Sequence, residues 1–205
     1  MSHHTAATVA GVAVLVREVD AREAKLRAGP VAAALPRPGT SEGRQLRRWL
    51  TQLIVTERVV GVEAAALGLT GRGAPSEDEL LPDEAARLEI GSVAATALAE
   101  PRARALFAHV TAAIEVTDAD VADYHARNPL RFAPRRSDGA GWHTRCDAAP
   151  PLDEVRDAVT EHLRAAARRR AFRVWLDARR AALVELAPGY EHPGDPRQPD
   201  NPHKH

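Results

Sequence analysis

Apolar residues recur at spacings of three and four along most of the chain, which predicts a mainly helical protein. Over 42–67, Leu46, Trp49, Leu50, Leu53, Ile54, Val60, Ala64 and Leu67 fall on one face of a long amphipathic helix that Gly68 ends, with Ser41 expected as its cap. The longest pattern covers 151–186, where Leu152, Val155, Val159, Leu163, Ala166, Phe172, Trp175, Leu176 and Leu183 make a continuous apolar face. Asp153 and Glu154 lie at its start and arginines toward its end, as the helix dipole favours. Shorter helices are predicted over 17–28, stopped by Gly29-Pro30, and over 83–98, with Gly91 inside. Another starts at Pro101 and carries Leu106, Phe107, Val110 and Ile114 on its face. A further helix, DADVADYHAR, has Thr117 as its cap and Asn128-Pro129 as its end.

Two segments break the helical period. TVAGVAVLV, residues 8–16, is β-branched and interrupted by Gly11, which predicts a short strand or tight hairpin. ELAPGYEH, near the other end, could hold a second strand; if the two pair, the ends of the ordered chain are sewn together. VAAALPRPGTSEGR and TGRGAPSEDELLP read as loops, the first with room for a helical turn. RFAPRRSDGAGWHTRCDAAPP, between two helices, reads as a loop, and the tail from 191 to 205 is too rich in proline and polar residues to fold alone. The expected organisation is one helical domain over 1–190, with 131–151 as a short loop inside it, followed by a flexible Pro/His-rich tail.

Composition narrows the function classes. Lys+Arg and Asp+Glu are 28 each, so no global field draws the chain to nucleic acid or to an anionic membrane, and neither is expected as a partner. The single cysteine excludes an intrachain disulfide framework. No basic segment precedes the short apolar run near the start, so neither signal peptide nor membrane anchor is expected, and cytoplasmic residence is the default. Alanine and arginine abound while lysine is almost absent, a composition with an actinobacterial look. His3 and His4 carry no function in this reading.

Candidate chemistry is sparse. His143 and Cys146 have an H-x-x-C spacing that a loop could fold around a metal, and His192, His203 and His205 could complete the shell. No paired CxxC and no HExxH is present, so no metal site and no cofactor is expected. Cys146 as a nucleophile, with His143, Tyr124 or His125 moving protons, is the catalytic alternative, and whether the protein is an enzyme stays open. The arginines at 168–170, together with Arg164, Arg173, Arg179 and Arg180, read as a solvated face paired with nearby acids.

Four pieces, taken in order, carry a resemblance: TVAGVAVLVREVDARE, QLRRWLTQLIVTERVVGVEAAALGL, VTDADVADYHARNPLRF and PPLDEVRDAVTEHLRAAARRRAFRVWLDARRAALVEL. Together they resemble the SurA/PrsA-type chaperones, which join a helical chaperone domain to parvulin-type prolyl isomerase domains. The start is similar to that family's V-N-G-x-x-I-x-x-x-E, with Ala10 in place of Asn and Glu18 in the acidic position. VTDADVADYHARNPLRF is similar to V-T-D-x-D-V-x-x-Y-Y-x-x-N-x-x-x-F, with His125 in place of the second Tyr. In that family the parvulin domain lies where 131–151 lies here, and a segment this short cannot form one.

The resemblance implies a SurA/PrsA-like helical chaperone domain, mainly α with long amphipathic helices and a small terminal β pairing, isomerase-related but without prolyl isomerase activity. Its expected work is to hold a polypeptide segment or a specific protein partner in a cradle lined by Trp49, Leu53, Phe107, Tyr124, Phe132 and Trp142. The alternative is a small-molecule enzyme or accessory protein of bacterial specialised metabolism on the same scaffold, with a small apolar metabolite as ligand. A homodimer formed by exchange of terminal segments is the oligomeric expectation.

Overall fold

The computed structural model describes residues 4–133, 135–137, 143–145 and 149–191, the two three-residue pieces by their backbone alone. It divides into two units, residues 1–110 with 172–205 and residues 111–171.

The first unit starts with β1 (Thr5–Val9) and β2 (Val12–Leu15), an antiparallel hairpin. Its two-residue turn places both Ala10 (φ 49°) and Gly11 (φ 77°) in the left-handed region, as a type I′ connection requires. Helix α1 (Val16–Arg27) follows without a loop, and the Glu18 carboxylate accepts the Leu15 N–H at 2.8 Å. A 3₁₀ turn at Ala32–Ala34 occupies the expected loop.

Helix α2 (Ser41–Ala66) is the axis of the core, burying Leu50, Leu53, Val55 and Val59 among others. Thr40, not Ser41, caps it: the Thr40 hydroxyl accepts the Gly43 N–H at 3.1 Å. Gly43 is needed there because a Cβ would collide with the Arg37 carbonyl oxygen that folds back over this turn.

The loop after α2 contains a short α3 (Glu77–Leu80), started by a reciprocal cap between Ser76 and Glu79. The helix expected over 83–98 is two helices, α4 (Glu84–Ile90) and α5 (Ser92–Ala97), because Gly91 takes φ 91° and redirects the chain. Helix α6 (Pro101–Val110) brings Phe107 to 5.1 Å from Phe172, and Phe172 in turn stacks on Trp175 at 5.5 Å.

The closing helix α8 (Leu152–Leu183) supplies residues from 172 onward to this unit. It passes directly into β5 (Val184–Leu186), which pairs antiparallel with β1 and gives a sheet of order β2-β1-β5. The Ala10 N–H donates to the Leu183 carbonyl at 2.8 Å and the Ala187 N–H to the Ala6 carbonyl at 3.0 Å, so the pairing continues past both strand ends. The two distant segments are thus joined, with the second strand slightly earlier than ELAPGYEH placed it.

In the second unit, helix α7 (Asp118–Arg127) has the expected Thr117 cap, and Asp120 reciprocates by accepting the Thr117 N–H at 3.0 Å. The span read as a plain loop contains β3 (Arg135–Ser137) and β4 (His143–Arg145), paired antiparallel. The reading of the arginines as paired with nearby acids holds for Arg164, which pairs with Glu161 at 2.8 Å, and for Arg179, which pairs with Glu63 at 2.5 Å. It is corrected within the run 168–170: Arg169 is only 6 % exposed, and the Arg168 Nε donates to the Thr111 hydroxyl at 2.8 Å. Three successive arginines on a helix point to different sides, so one of them faces inward. The architecture is mainly α, with long helices and a small three-stranded antiparallel sheet.

Candidate functional site

The second unit gathers three rings. Tyr124 comes from α7, Phe132 follows the Asn128-Pro129 break, and His162 comes from α8. The break is held by the Asn128 side-chain amide, which donates to the Tyr124 carbonyl at 3.0 Å and so satisfies an end of α7.

The hydroxyl oxygen of Tyr124 lies 3.0 Å from Nε2 of His162. Phe132 meets both partners edge-on, with ring centroids 6.4 Å from Tyr124 and 5.8 Å from His162. Both are the T-shaped arrangement that ring quadrupoles favour. Beside the trio is a concavity of about 490 Å³ lined by the 128–133 segment and His162, with Leu130 and Arg131 exposed at its edge. All three ring-bearing residues are half-buried, and of the three Phe132 and His162 line the concavity, with Tyr124 behind them through its hydrogen bond to His162.

Next to the trio, His125 Nε2 is 2.9 Å from the Pro150 carbonyl oxygen. A carbonyl only accepts, so this nitrogen carries a proton and the ring is engaged in tying 150 to α7. Asp120 has its carboxyl held below the ordinary value by hydrogen bonds from the Thr117 hydroxyl and backbone. It serves the cap and stays ionised.

The other expected residues fall elsewhere. Leu53 and Phe107, each 2 % exposed, are core of the first unit, and Trp49 packs half-buried against that core. His143 is described by its backbone in β4 only. Trp142, Cys146, His192, His203 and His205 lie outside the described residues. Among the described residues no group of three His, Cys, Asp or Glu side chains could hold a metal ion, and no helix is long and apolar enough to cross a membrane.

His162 is the functional candidate that the pattern reading passed over. It flanks the apolar positions Val159 and Leu163 and is the only histidine in α8, a signal available in the sequence but meaningless until α7 supplies the tyrosine.

Residues 5–42 match a family described as a family of unknown function (DUF7158). That stretch covers β1, β2, α1 and the first residues of α2, less than half of the chain. No curated protein and no solved structure matches.

These findings correct several expected attributes. The family match names no function, and nothing else supplies a source, a compartment or an assembly. A tie to prolyl isomerisation, actinobacterial origin, a natural-product setting, cytoplasmic residence and a homodimer therefore rest on no finding and are withdrawn. The helical character remains.

Proposed function

We propose that this chain is a SurA/PrsA-like polypeptide-binding protein, whose second unit holds an extended segment bearing an apolar or aromatic side chain. The observation that carries the proposal is the half-buried trio of Tyr124, Phe132 and His162 beside a concavity of about 490 Å³. A cavity of that size lies within the range of roughly 300–1,000 Å³ typical of ligand sites. The bound side chain would pack against the Phe132 ring, while exposed Arg131 would receive an acidic group or a carbonyl of the segment. In support of the family reading stand the hairpin, the helix that follows it, the reciprocal cap of Thr117 and the pairing of β1 with β5. The proposal assigns no prolyl isomerase activity.

One observation favours a second reading. The Tyr124 hydroxyl and the His162 imidazole, 3.0 Å apart, make a proton-sharing pair of the kind that serves general acid–base chemistry on a small molecule.

Two variants separate the readings. Fluorescence anisotropy with a set of labelled, unstructured peptides should show saturable binding to the full chain, weakened at least tenfold by Phe132→Ala and little changed by Tyr124→Phe. No saturable binding, or equal binding by Phe132→Ala, defeats the peptide reading. A chemical activity abolished by Tyr124→Phe would establish the second.

A further inference from the structure

The first unit contains another, smaller concavity, of about 220 Å³. One wall is α8, which presents Arg173, Asp177 and Arg180 at spacings of four and three and therefore on one face. The other wall is the 90–94 segment, where α4 gives way to α5 at Gly91. Gly91 itself lines the hollow, and a Cβ added there would meet no atom within 4 Å.

The electrostatics of this hollow are unbalanced. Arg180 donates from Nη2 to Oε1 of Gln52, a fully buried and neutral amide. Arg173 donates from Nη1 to the Glu89 carbonyl oxygen at 3.0 Å, again a neutral acceptor. Neither guanidinium forms an ion pair among the described residues, and Asp177 is the one carboxylate in the lining. Burial lowers the pKa of Arg180, partly offset by the charge of Asp177. Two positive charges and one negative therefore line a cavity too small for the roughly 300–1,000 Å³ of a drug-sized ligand.

We infer that this cavity binds an oxyanion of the phosphate class, either free phosphate or the phosphoryl end of a small metabolite, between Arg173 and Arg180. The guanidinium fork matches two oxygens of such an anion, and a doubly charged ligand compensates the surplus charge better than a carboxylate does. Ser92, in the facing wall, adds a hydroxyl donor. The site is separate from the Tyr124–His162 pair and stands or falls independently of it.

Inorganic phosphate is the first probe, by isothermal titration and by thermal melts of the full chain against sodium chloride at matched ionic strength. Saturable binding and a phosphate-specific rise in Tm are expected. Arg173→Gln, a change at an exposed side chain, should weaken binding about tenfold or more. Asp177→Asn should tighten it, by up to about fivefold, a gain that a merely structural role would not produce. Arg180→Lys keeps the charge but loses the fork, and should weaken binding while the protein remains folded. A melt no more sensitive to phosphate than to chloride, or Arg173→Gln binding as the parent does, overturns the site. Acetate binding more tightly than phosphate overturns the choice of a doubly charged ligand. Among ligands that pass, a phosphomonoester binding more tightly than inorganic phosphate identifies a metabolite, and the reverse order identifies free phosphate.

Discussion

The hydroxyl of Tyr124 and Nε2 of His162 are 3.0 Å apart although 38 residues separate them in the chain. Tyr124→Phe deletes this hydrogen bond and keeps the ring contacts with Phe132, so urea unfolding should show a loss of about 0.5–1.5 kcal/mol. Phe132→Ala keeps the hydrogen bond and removes a half-buried ring, with a loss of roughly 1 kcal/mol. A loss near zero for Tyr124→Phe would mean that solvent replaces the pair at no cost.

Ala10 takes φ 49° in the hairpin turn, a conformation in which Cβ crowds the following carbonyl oxygen. Asn tolerates it better, and Asn-Gly is a preferred type I′ pair. Ala10→Asn should raise stability by about 0.5–1 kcal/mol, read as a higher denaturation midpoint at unchanged m-value.

The segment after β5 is fastened to α2 by two side chains: Arg48 Nε donates to the Gly189 carbonyl and Gln52 Nε2 to the Tyr190 carbonyl, both at 3.2 Å. Gln52 also accepts from Arg180, so its amide is used at both ends inside the core. Gln52→Ala leaves a half-buried guanidinium and a carbonyl short of partners as well as a cavity, and should cost about 2–4 kcal/mol. Hydrogen exchange should accelerate at the Ala187 and Tyr190 amides, whose acceptors are the Ala6 and Ala187 carbonyls. Unchanged protection there would show that β-pairing alone holds the segment.

Acid should weaken the fold through Glu23. Burial raises its pKa, but hydrogen bonds and charge from Arg27 and Arg47 outweigh this and hold it below the ordinary value. A depressed carboxylate contributes stability above its unfolded pKa, about 4.3, and loses it as pH falls through the folded value. Glu23→Gln should therefore flatten the stability profile below about pH 4 and lower the plateau above it. Asp120 follows the same sign, and Thr117→Val should return its NMR titration midpoint toward that of a free aspartate. An unmoved midpoint would assign the depression to something other than the cap.

The readable parts of this fold were those in which the determining residues are neighbours in sequence. Thr117 and Asp120 are three apart and the cap between them was legible, as were the apolar faces of α2 and α8 and the end of α7 at Asn128-Pro129. Ser41 was read one residue too late because Thr40 and Ser41 are equally good caps by type, and only the loop closing over Gly43 selects Thr40. Gly91 was seen, but whether a glycine interrupts a helix or merely weakens it depends on the packing on either side.

Of the candidate site, Tyr124 and Phe132 were expected in the lining of a partner-binding cradle, and Tyr124 also as a group that moves protons, while His162 was not named, since its partner lies on another helix. The same reason governs the rest. By itself the sequence determined the helical class, the cap at Thr117, the end of α7 at Asn128-Pro129 and the balance of charge, because these depend on residues close together in the chain or on composition. Tertiary structure alone decided the register in which Val184–Leu186 joins β1, that Arg169 turns inward, that Gln52 bridges Arg180 and Tyr190, and that Tyr124 meets His162. Each of these joins groups whose proximity no local period encodes, and burial then makes the hydrogen-bonded arrangement far cheaper than an unpaired one.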